Sequence, residues 1–176
     1  MLNVESLPIG RSVVTHQSEG ASMLEWKHVT ERADVDQVKN LFKEYADGLK
    51  EDHLSRVMEK ELSCLPGDYA PPNGVLFLVE DDREPMGCVA VRKLQPGICE
   101  LKRLYVRPQA RGTGLGKELV MMAIDVAEAL GYEKMRLDTL NTMETAKGLY
   151  RYLGFEEIEP YSQVPVEGLS FFEKRL

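Results

Sequence analysis

Residues 98–140 constrain the fold most, because they predict a strand, a helix and a second strand in direct succession. Ile98 to Val106 is a largely apolar segment that suits a strand, and Gly114 to Leu130 carries apolar residues at helical spacing. Gly131 is placed to end that helix. Lys134 to Leu140 is the next predicted strand. Since a helical crossover joins them, the two strands should lie parallel in one sheet.

The flanking regions add antiparallel strands and further helices. Apolar segments separated by turns at 75–80, 86–92 and 98–106 predict a three-stranded meander, which makes the whole sheet mixed. A loop rich in Pro and Gly precedes the meander at 65–74. The remaining predicted elements are strands at 23–29, 155–159 and 169–174 and helices at 34–49, 53–62 and 145–153.

Length and composition indicate a single globular domain. The chain has 176 residues, of which 43% are hydrophobic and 29% charged, and these values are ordinary for a globular protein. Residues 1–22 are polar and mixed, and we treat them as an N-terminal extension that is either loose or packed on the domain. The predicted domain comprises residues 23–176.

Several function classes are disfavoured by the composition. The net charge of −7 argues against a nucleic-acid partner. No stretch approaches the ~18 apolar residues of a membrane span, and the first residues lack the features of a signal peptide. The odd number of cysteines argues against a disulfide framework, and the scattered histidines against a metal site. We therefore expect a reduced, cytoplasmic protein without a metal.

The turn before the 114–130 helix is suited to a phosphate-bearing ligand. Gly112, Gly114 and Gly116 remove side chains where backbone N–H groups approach a partner. The first N–H groups of a helix are unpaired and carry partial positive charge, which favours anions. A P-loop is excluded, because Lys117 is followed by Glu118 and not by a hydroxyl residue. The Gly-x-Gly-x-Gly spacing also differs from the Rossmann Gly-x-Gly-x-x-Gly pattern.

Two motifs together resemble the GNAT superfamily of N-acetyltransferases. Arg111-Gly-Thr-Gly-Leu-Gly116 fits the family's Arg/Gln-x-x-Gly-x-Gly/Ala signature, and the preceding Leu104-Tyr-Val-Arg-Pro108 resembles its strand and loop. The segment from Ala146 to Phe155 resembles the family's second motif, a short helix that ends in Gly-Phe. The resemblance covers roughly residues 23–176. It implies the α/β (α+β) GNAT fold, with a mixed central sheet of about six to seven strands and helices on both faces.

The resemblance implies acetyl-CoA as co-substrate, held in a wedge between two diverging parallel strands. The pantetheine arm would pair with the backbone of Leu104, Tyr105 and Val106. The diphosphate would lie on the N–H groups of the glycine turn, which agrees with the physical argument above. Many members have an asparagine where this chain has Met143, and Asn141 is the residue that would replace it. The residues predicted at the diphosphate are Arg111, Gly112, Thr113, Gly114, Leu115, Gly116 and Lys117.

Two residues are candidates for proton transfer. Glu100 matches a position where some members place a catalytic glutamate, and it would serve as base; the alternative is an ion-paired strand residue next to Lys102 or Arg103. Tyr150 matches the tyrosine that many members place near the CoA sulfur, and it would serve as acid. Its alternative role is packing on the core. The carbonyl oxygen would accept a hydrogen bond from a strand N–H such as that of Val106.

The acceptor is expected to be a primary amine of a small molecule or a peptide. Its pocket should lie among residues 34–62, the 65–74 loop and the end of the chain, and nothing in these segments identifies the amine. Dimers are common in the family, which leaves a homodimer open. A noncatalytic acetyl-CoA sensor would use the same loop, and a nucleotide-binding protein is disfavoured by the glycine spacing.

Overall fold

The computed structural model describes residues 13–14, 23–49, 61–161 and 168–176. Within these ranges the chain forms one mixed sheet with the strand order β1-β2-β3-β4-β5-β6-β8-β7. Strands β2 to β8 confirm the predicted six to seven strands, and the two-residue β1 extends one edge. The strands are β1 Val13–Val14, β2 Met23–His28, β3 Val75–Asp81, β4 Glu84–Gln95, β5 Ile98–Val106, β6 Lys134–Leu140, β7 Glu156–Ile158 and β8 Leu169–Arg175.

The helices follow the apolar periodicity of the sequence. They are α1 Arg32–Leu49, α2 Leu115–Ala129 and α3 Glu144–Tyr152, with short 3₁₀ turns at Gly67–Tyr69 and Pro108–Ala110. Residues 61–64 are helical, and the earlier part of the predicted 53–62 helix lies outside the described residues, as does most of the predicted 1–22 extension. No helix in the described part of the chain is long and apolar enough to cross a membrane.

Helices cover both faces of the sheet, as expected. One face, here called the α1 face, packs residues such as Leu41 and Phe42 of α1 against Leu76 and Leu78 of β3. The opposite α2 face packs Leu119 and its neighbours against the alternate residues of the same strand. Since both faces are covered, β3 is buried along almost its entire length. Each fully buried Leu or Phe contributes roughly 1.5–3 kcal/mol, so the cores on the two faces stabilise the sheet between them.

Strands β5 and β6 are the parallel pair predicted from the sequence, and they separate after three residue pairs. Their register runs only from Ile98 opposite Lys134 to Glu100 opposite Arg136. In β5, Arg103 and Leu104 then stand opposite the single residue Val89 of β4, which defines a bulge. Arg103 has a φ of +57° there. Because a bulge bends its strand, β5 turns away from β6 and opens a space, here called the wedge.

Candidate active site

The wedge is lined by both separated strands and by two helices. Strand β5 provides one wall, β6 the other, and Tyr150 of α3 and Tyr45 of α1 contribute from opposite faces of the sheet. An opening between parallel strands beyond their carboxyl ends is a usual place for a ligand in such sheets. The lining residues are Tyr45, Leu101, Lys102, Arg103, Leu104, Asp138, Thr139, Leu140, Met143, Ala146, Tyr150 and Leu169.

The glycine turn at the start of α2 leaves a clear backbone surface. Gly112 and Gly114 have φ values of +80° and +94°, and a Cβ built on either would meet no atom within 4 Å. The first main-chain bond of the helix runs from the N–H of Glu118 to the carbonyl of Gly114, at 3.1 Å. The N–H groups of residues 115–117 therefore precede the helical ladder, and that of Leu115 has a long contact of 3.4 Å with the Thr113 hydroxyl. Such a surface fits a diphosphate.

Two cations hold fixed positions beside this turn. Arg111 donates from Nε to the carbonyl of Val106 at 3.0 Å, which ties the turn to the end of β5. Lys117 lies over the ring of Tyr152, with Nζ 4.8 Å from the ring centre and 3.3 Å from the hydroxyl. The Tyr152 side chain is 71% exposed. The positive charge of Lys117 is therefore held at the helix start and stays open to solvent.

The three residues predicted along the pantetheine arm lie beyond the last pairing of β5 with β6. Leu104 lines the wedge. Tyr105 turns its ring toward α1, where it lies 5.8 Å from the ring of Tyr45. Val106 lies close to Gly116 of α2, where an added Cβ would be 3.7 Å from the valine side chain. This edge of β5 is thus the one that an extended amide chain would approach.

Tyr150 reaches the wedge from the α2 face. It is 5% exposed, and its ring contacts Phe155 in an edge-to-face arrangement with 5.8 Å between centres. Burial raises the pKa of the Tyr150 hydroxyl above its ordinary value. The hydroxyl therefore keeps its proton near neutral pH, as an acid must.

Glu100 is buried at the last paired position of β5, and its side chain is not part of the wedge lining. Its Oε2 accepts hydrogen bonds from Arg92, at 2.9 Å from Nε and 2.7 Å from a terminal nitrogen. Its Oε1 accepts a 2.7 Å bond from the Tyr161 hydroxyl and lies 3.7 Å from Nζ of Lys102. Both oxygens of the carboxylate are thus hydrogen-bonded, and Glu100 directly precedes Leu101, the first β5 residue of the wedge lining.

Asn141 lies at the end of β6 and is engaged with the neighbouring strand. Its Oδ1 accepts a 2.6 Å bond from the Ser170 hydroxyl, and its carbonyl accepts a 3.0 Å bond from Lys147. Met143 lines the wedge, and Asn141 is not among the lining side chains. The residue that departs from the family pattern thus occupies the wall, and it adds an apolar surface there.

Sequence reasoning missed an ion pair that spans the wedge. Lys102 of β5 and Asp138 of β6 are hydrogen-bonded to each other just beyond the point where the strands separate. Their side chains are 18% and 22% exposed. The signal was present in β6, where Met135 and Leu137 are buried on the α2 face and alternate with polar residues. That alternation places Asp138 on the α1 face, but only the register reveals its partner.

Two Arg–Glu–Tyr clusters on the α1 face were also missed. In the inner cluster, Glu61 accepts hydrogen bonds from both Arg103 and Tyr69, with 2.6 Å to the tyrosine. The side chain of Arg103 is only 11% exposed. In the outer cluster, Glu44 accepts two bonds from Arg107, at 2.6 and 3.0 Å, and a weaker one from Tyr105 at 3.4 Å. The inner cluster ties the segment after residue 60 to the bulge of β5.

In both clusters the arginine and the glutamate are far apart in the chain, so no local sequence motif predicts their pairing. Burial opposes ionisation of Glu61, but the hydrogen bonds and charge of Arg103 outweigh it and hold the pKa of Glu61 below its ordinary value. The α1 side of the site therefore consists of paired charges.

Comparison with known proteins agrees with this geometry. The family model described as the acetyltransferase (GNAT) family matches residues 35–155. An uncharacterised N-acetyltransferase of Schizosaccharomyces pombe is 40% identical over 140 residues, covering 78% of this chain and 86% of that protein. The uncharacterised N-acetyltransferase YjgM of Escherichia coli is 34% identical over 115 residues, covering 64% and 69%.

Solved structures share the fold at low sequence identity. An acetyltransferase from Streptococcus agalactiae superposes with a TM-score of 0.75 at 17% identity, covering 87% of this chain and 98% of the other. PaiA N-acetyltransferase from Thermoplasma acidophilum, solved in complex with coenzyme A, gives 0.69 at 16% identity, with 87% and 99% covered. GNAT enzymes use acetyl-CoA as co-substrate, and the glycine turn fits its diphosphate. The chain belongs to the GNAT family of acetyltransferases.

Proposed function

We propose that this acetyltransferase moves the acetyl group of acetyl-CoA to a primary amine of a small molecule or peptide. The observation that carries the proposal is the wedge itself. Its β5 wall continues to Val106, which lies next to Gly116 at the helix start, and Lys102 and Asp138 pair across the wedge on the α1 face. A donor and a polar acceptor could thus meet between β5 and β6 from opposite faces of the sheet.

We further propose direct attack by the amine on the thioester, without an acetyl-enzyme intermediate. A two-step route needs a nucleophile such as a cysteine at the donor. Within the described part of the chain, the wedge lining contains neither cysteine nor serine. Cys88 and Cys99 are buried, and burial raises the pKa of both thiols, which disfavours the reactive thiolate.

The donor site is assigned to main-chain groups. The N–H groups of residues 115–117 and the charge of Lys117 would hold the diphosphate, while the β5 edge at Leu104 to Val106 would pair with the amide arm. When bound, acetyl-CoA supplies a thioester that is already activated. The contribution of the chain is then to orient the amine and to manage protons.

The amine needs a proton acceptor. At a pKa of about 10.4, only about one alkylamine in ~2,500 is neutral at pH 7, a deficit of roughly 4–5 kcal/mol. We assign this role to Glu100, reached through water or the Tyr161 hydroxyl. Tyr161 already donates to Oε1, so its oxygen can accept a proton while it passes its own to the carboxylate.

The departing sulfur needs a proton donor, and we assign that role to Tyr150. Tyr150 belongs to the wedge lining. Because its pKa is raised, its hydroxyl stays protonated and can donate to the thiolate as the carbon–sulfur bond breaks. We also propose a cytoplasmic location, which the three free thiols at Cys64, Cys88 and Cys99 support.

A noncatalytic acetyl-CoA sensor is the second candidate function. The observation in its favour is Glu100, whose two oxygens are both occupied by Arg92 and Tyr161. A carboxylate in this state has a structural role that needs no catalysis. A sensor would bind acetyl-CoA at the same turn and leave amines unchanged.

An acceptor screen separates the two functions. Release of free CoA thiol from acetyl-CoA is followed with polyamines, amino acids, amino-acid amides and short peptides, beside a calorimetric titration with CoA. Amine-dependent thiol release supports the enzyme. Tight CoA binding without release across the panel contradicts it and supports the sensor. Absence of CoA binding would overturn both.

A further inference from the structure

The wedge already contains a primary amine that belongs to the chain. Lys102 follows Leu101 in β5 and immediately precedes the bulge, and its side chain lines the wedge. Within the described residues it is the single lysine of the lining. Its side chain is only 18% exposed, so the ammonium group is directed along the protein and not into bulk solvent.

A carboxylate lies in the position that a proton acceptor for this amine would need. Asp138 is hydrogen-bonded to Nζ of Lys102 across the separated strands, and Glu100 Oε1 is 3.7 Å from the same nitrogen. The negative charge of Asp138 also contributes to the raised pKa of Tyr150, after the larger effect of burial. An amine, a carboxylate and a protonated tyrosine are therefore gathered around one opening.

Other lysines also pair with carboxylates, but they lie outside the wedge. Lys134 pairs with Glu173 at 2.7 Å, and Lys147 pairs with Glu144 at 2.6 Å. Neither belongs to the wedge lining. Pairing with a carboxylate is thus common to these lysines, while the position between the diverging strands distinguishes Lys102.

We propose that Lys102 is itself an acetyl acceptor, so that the protein acetylates its own wedge. Nζ of Lys102 gives one proton to Asp138, which passes it to solvent, and the nitrogen lone pair forms the bond to the acetyl carbon. The nitrogen then loses its second proton to solvent through Asp138. The carbon–sulfur bond breaks, and Tyr150 gives its proton to the sulfur and regains one from solvent. The products are a neutral acetamide on Lys102 and CoA thiol, with one proton released to solvent in total.

This reaction requires no reagent beyond the acetyl-CoA that the family uses. It rests on acetyl-CoA binding at the wedge, and it is independent of which external amine the protein accepts. Acetylation removes the cation paired with Asp138 and leaves that carboxylate without its partner. The acetylated protein should therefore differ from the unmodified one in its preference for charged amines.

The test is incubation of the full chain with acetyl-CoA and no added amine, followed by intact mass measurement and peptide mapping over time. We expect one acetyl group to accumulate at Lys102, at least about tenfold faster than at Lys134 or Lys147, because the bound donor is held beside the amine. In urea-unfolded chain the three lysines should react at similar rates. Asp138→Asn should slow modification of Lys102 and leave the other two lysines unaffected.

Two further variants check the route. Lys102→Arg keeps a cation for Asp138 and should abolish the single modification, while Gly114→Val should slow it by weakening the donor site. Modification of Lys102 no faster than of Lys134 or Lys147 in the folded wild type would overturn the proposal, even if a variant misfolds. Acetylated Lys102 without amine turnover would refute the external acceptor alone, and the converse result would refute self-acetylation alone.

Discussion

The two sides of β5 differ in the chemical groups that they present: main-chain N–H groups on one side and charged side chains on the other. On the proposed donor side, the site would consist of main-chain N–H groups at the start of α2, next to Gly112 and Gly114, where an added Cβ would meet no atom within 4 Å. On the acceptor side, it consists of charged side chains that are paired across strands and helices, such as Lys102 with Asp138 and Arg103 with Glu61. The proposed backbone site suits one chemical group, a diphosphate, whereas a side-chain site can be changed without rebuilding the fold.

This contrast explains why one side is conspicuous in the sequence. The donor side occupies one continuous stretch from β5 to the start of α2, so its glycines and basic residues appear together. The acceptor side combines residues that are 36, 42 and 63 positions apart in its three main ion pairs. Breaking each side in turn should therefore separate the use of donor from the use of acceptor.

The largest effect is expected at Gly114. Gly114→Val places a branched side chain at a left-handed residue directly before the bare N–H groups, and we expect acetyl-CoA affinity to fall at least about 100-fold, or ~2.7 kcal/mol. The matched control is Gly131→Val at the other end of α2, where φ is +82° and an added Cβ also meets no atom within 4 Å. Both variants lose about 1–3 kcal/mol of stability to backbone strain.

Calorimetry with CoA and thermal unfolding measure the two quantities separately. If Gly131→Val weakened CoA binding as much as Gly114→Val, the cause would be backbone strain and not the loss of the N–H site before α2. The glycine turn would then not be the binding site of the diphosphate.

The second effect is at Tyr150, where the two sides of β5 meet. Tyr150→Phe removes the proton donor and keeps the ring in contact with Phe155, and we expect kcat to fall about 10- to 100-fold. The affinity for acetyl-CoA should change little. Tyr152→Phe is the control, because that residue is exposed and lies outside the wedge lining. Stopped-flow measurement of thiol release with a competent amine gives kcat for each variant. If Tyr150→Phe turned over as fast as wild type, Tyr150 would not be the acid.

The third effect is at Glu100, on the acceptor side. Glu100→Gln keeps the shape of the side chain but removes the proposed proton acceptor, and we expect kcat/KM to fall about tenfold. Glu173→Gln is the matched control, since Glu173 also bridges two cations, Lys134 and Arg136, and is outside the wedge. Equal kcat/KM for wild type and Glu100→Gln with a competent amine would leave Glu100 with the ion-paired, structural role alone.

The fold was predictable because its signals are local. Both β5 and β6 have the bounds predicted from apolar runs and turn residues, and the crossover helix made them parallel. The glycine turn was predictable for the same reason, since all of its residues lie in one short segment. The bulge at Arg103 was not, because nothing in residues 98–106 marks a left-handed backbone at a residue other than glycine.

The acceptor side required the register of the sheet. Arg92 is a β4 residue that stands opposite Glu100, and this pairing determines that the carboxylate is buried and doubly bonded. Composition and periodicity place both residues in strands but do not align the strands. The wedge-spanning pair of Lys102 and Asp138 depends in addition on where β5 and β6 stop pairing.

The smallest effect on catalysis is expected from the inner Arg–Glu–Tyr cluster, and it tests whether that cluster serves the acceptor. Glu61→Gln leaves Arg103 partly unpaired, and we expect KM for the amine to rise about threefold while KM for acetyl-CoA stays constant. Stability should fall by about 1–3 kcal/mol, because Arg103 is largely buried. Glu44→Gln is the matched control in the outer cluster, where Glu44 is 38% exposed, and it should cost about 0–1 kcal/mol.

The pH dependence of this difference identifies its cause. Since the pKa of Glu61 is lower in the folded chain than in the unfolded one, its stabilisation is complete above the unfolded value of about 4.3 and is lost as pH falls through the folded value. The Tm gap between wild type and Glu61→Gln should therefore be constant near pH 7 and close below pH ~4. A Tm gap that persists in acid would mean that Glu61 stabilises the chain through packing. The ion pair of Glu61 with Arg103 would then contribute little to the stability of the acceptor side.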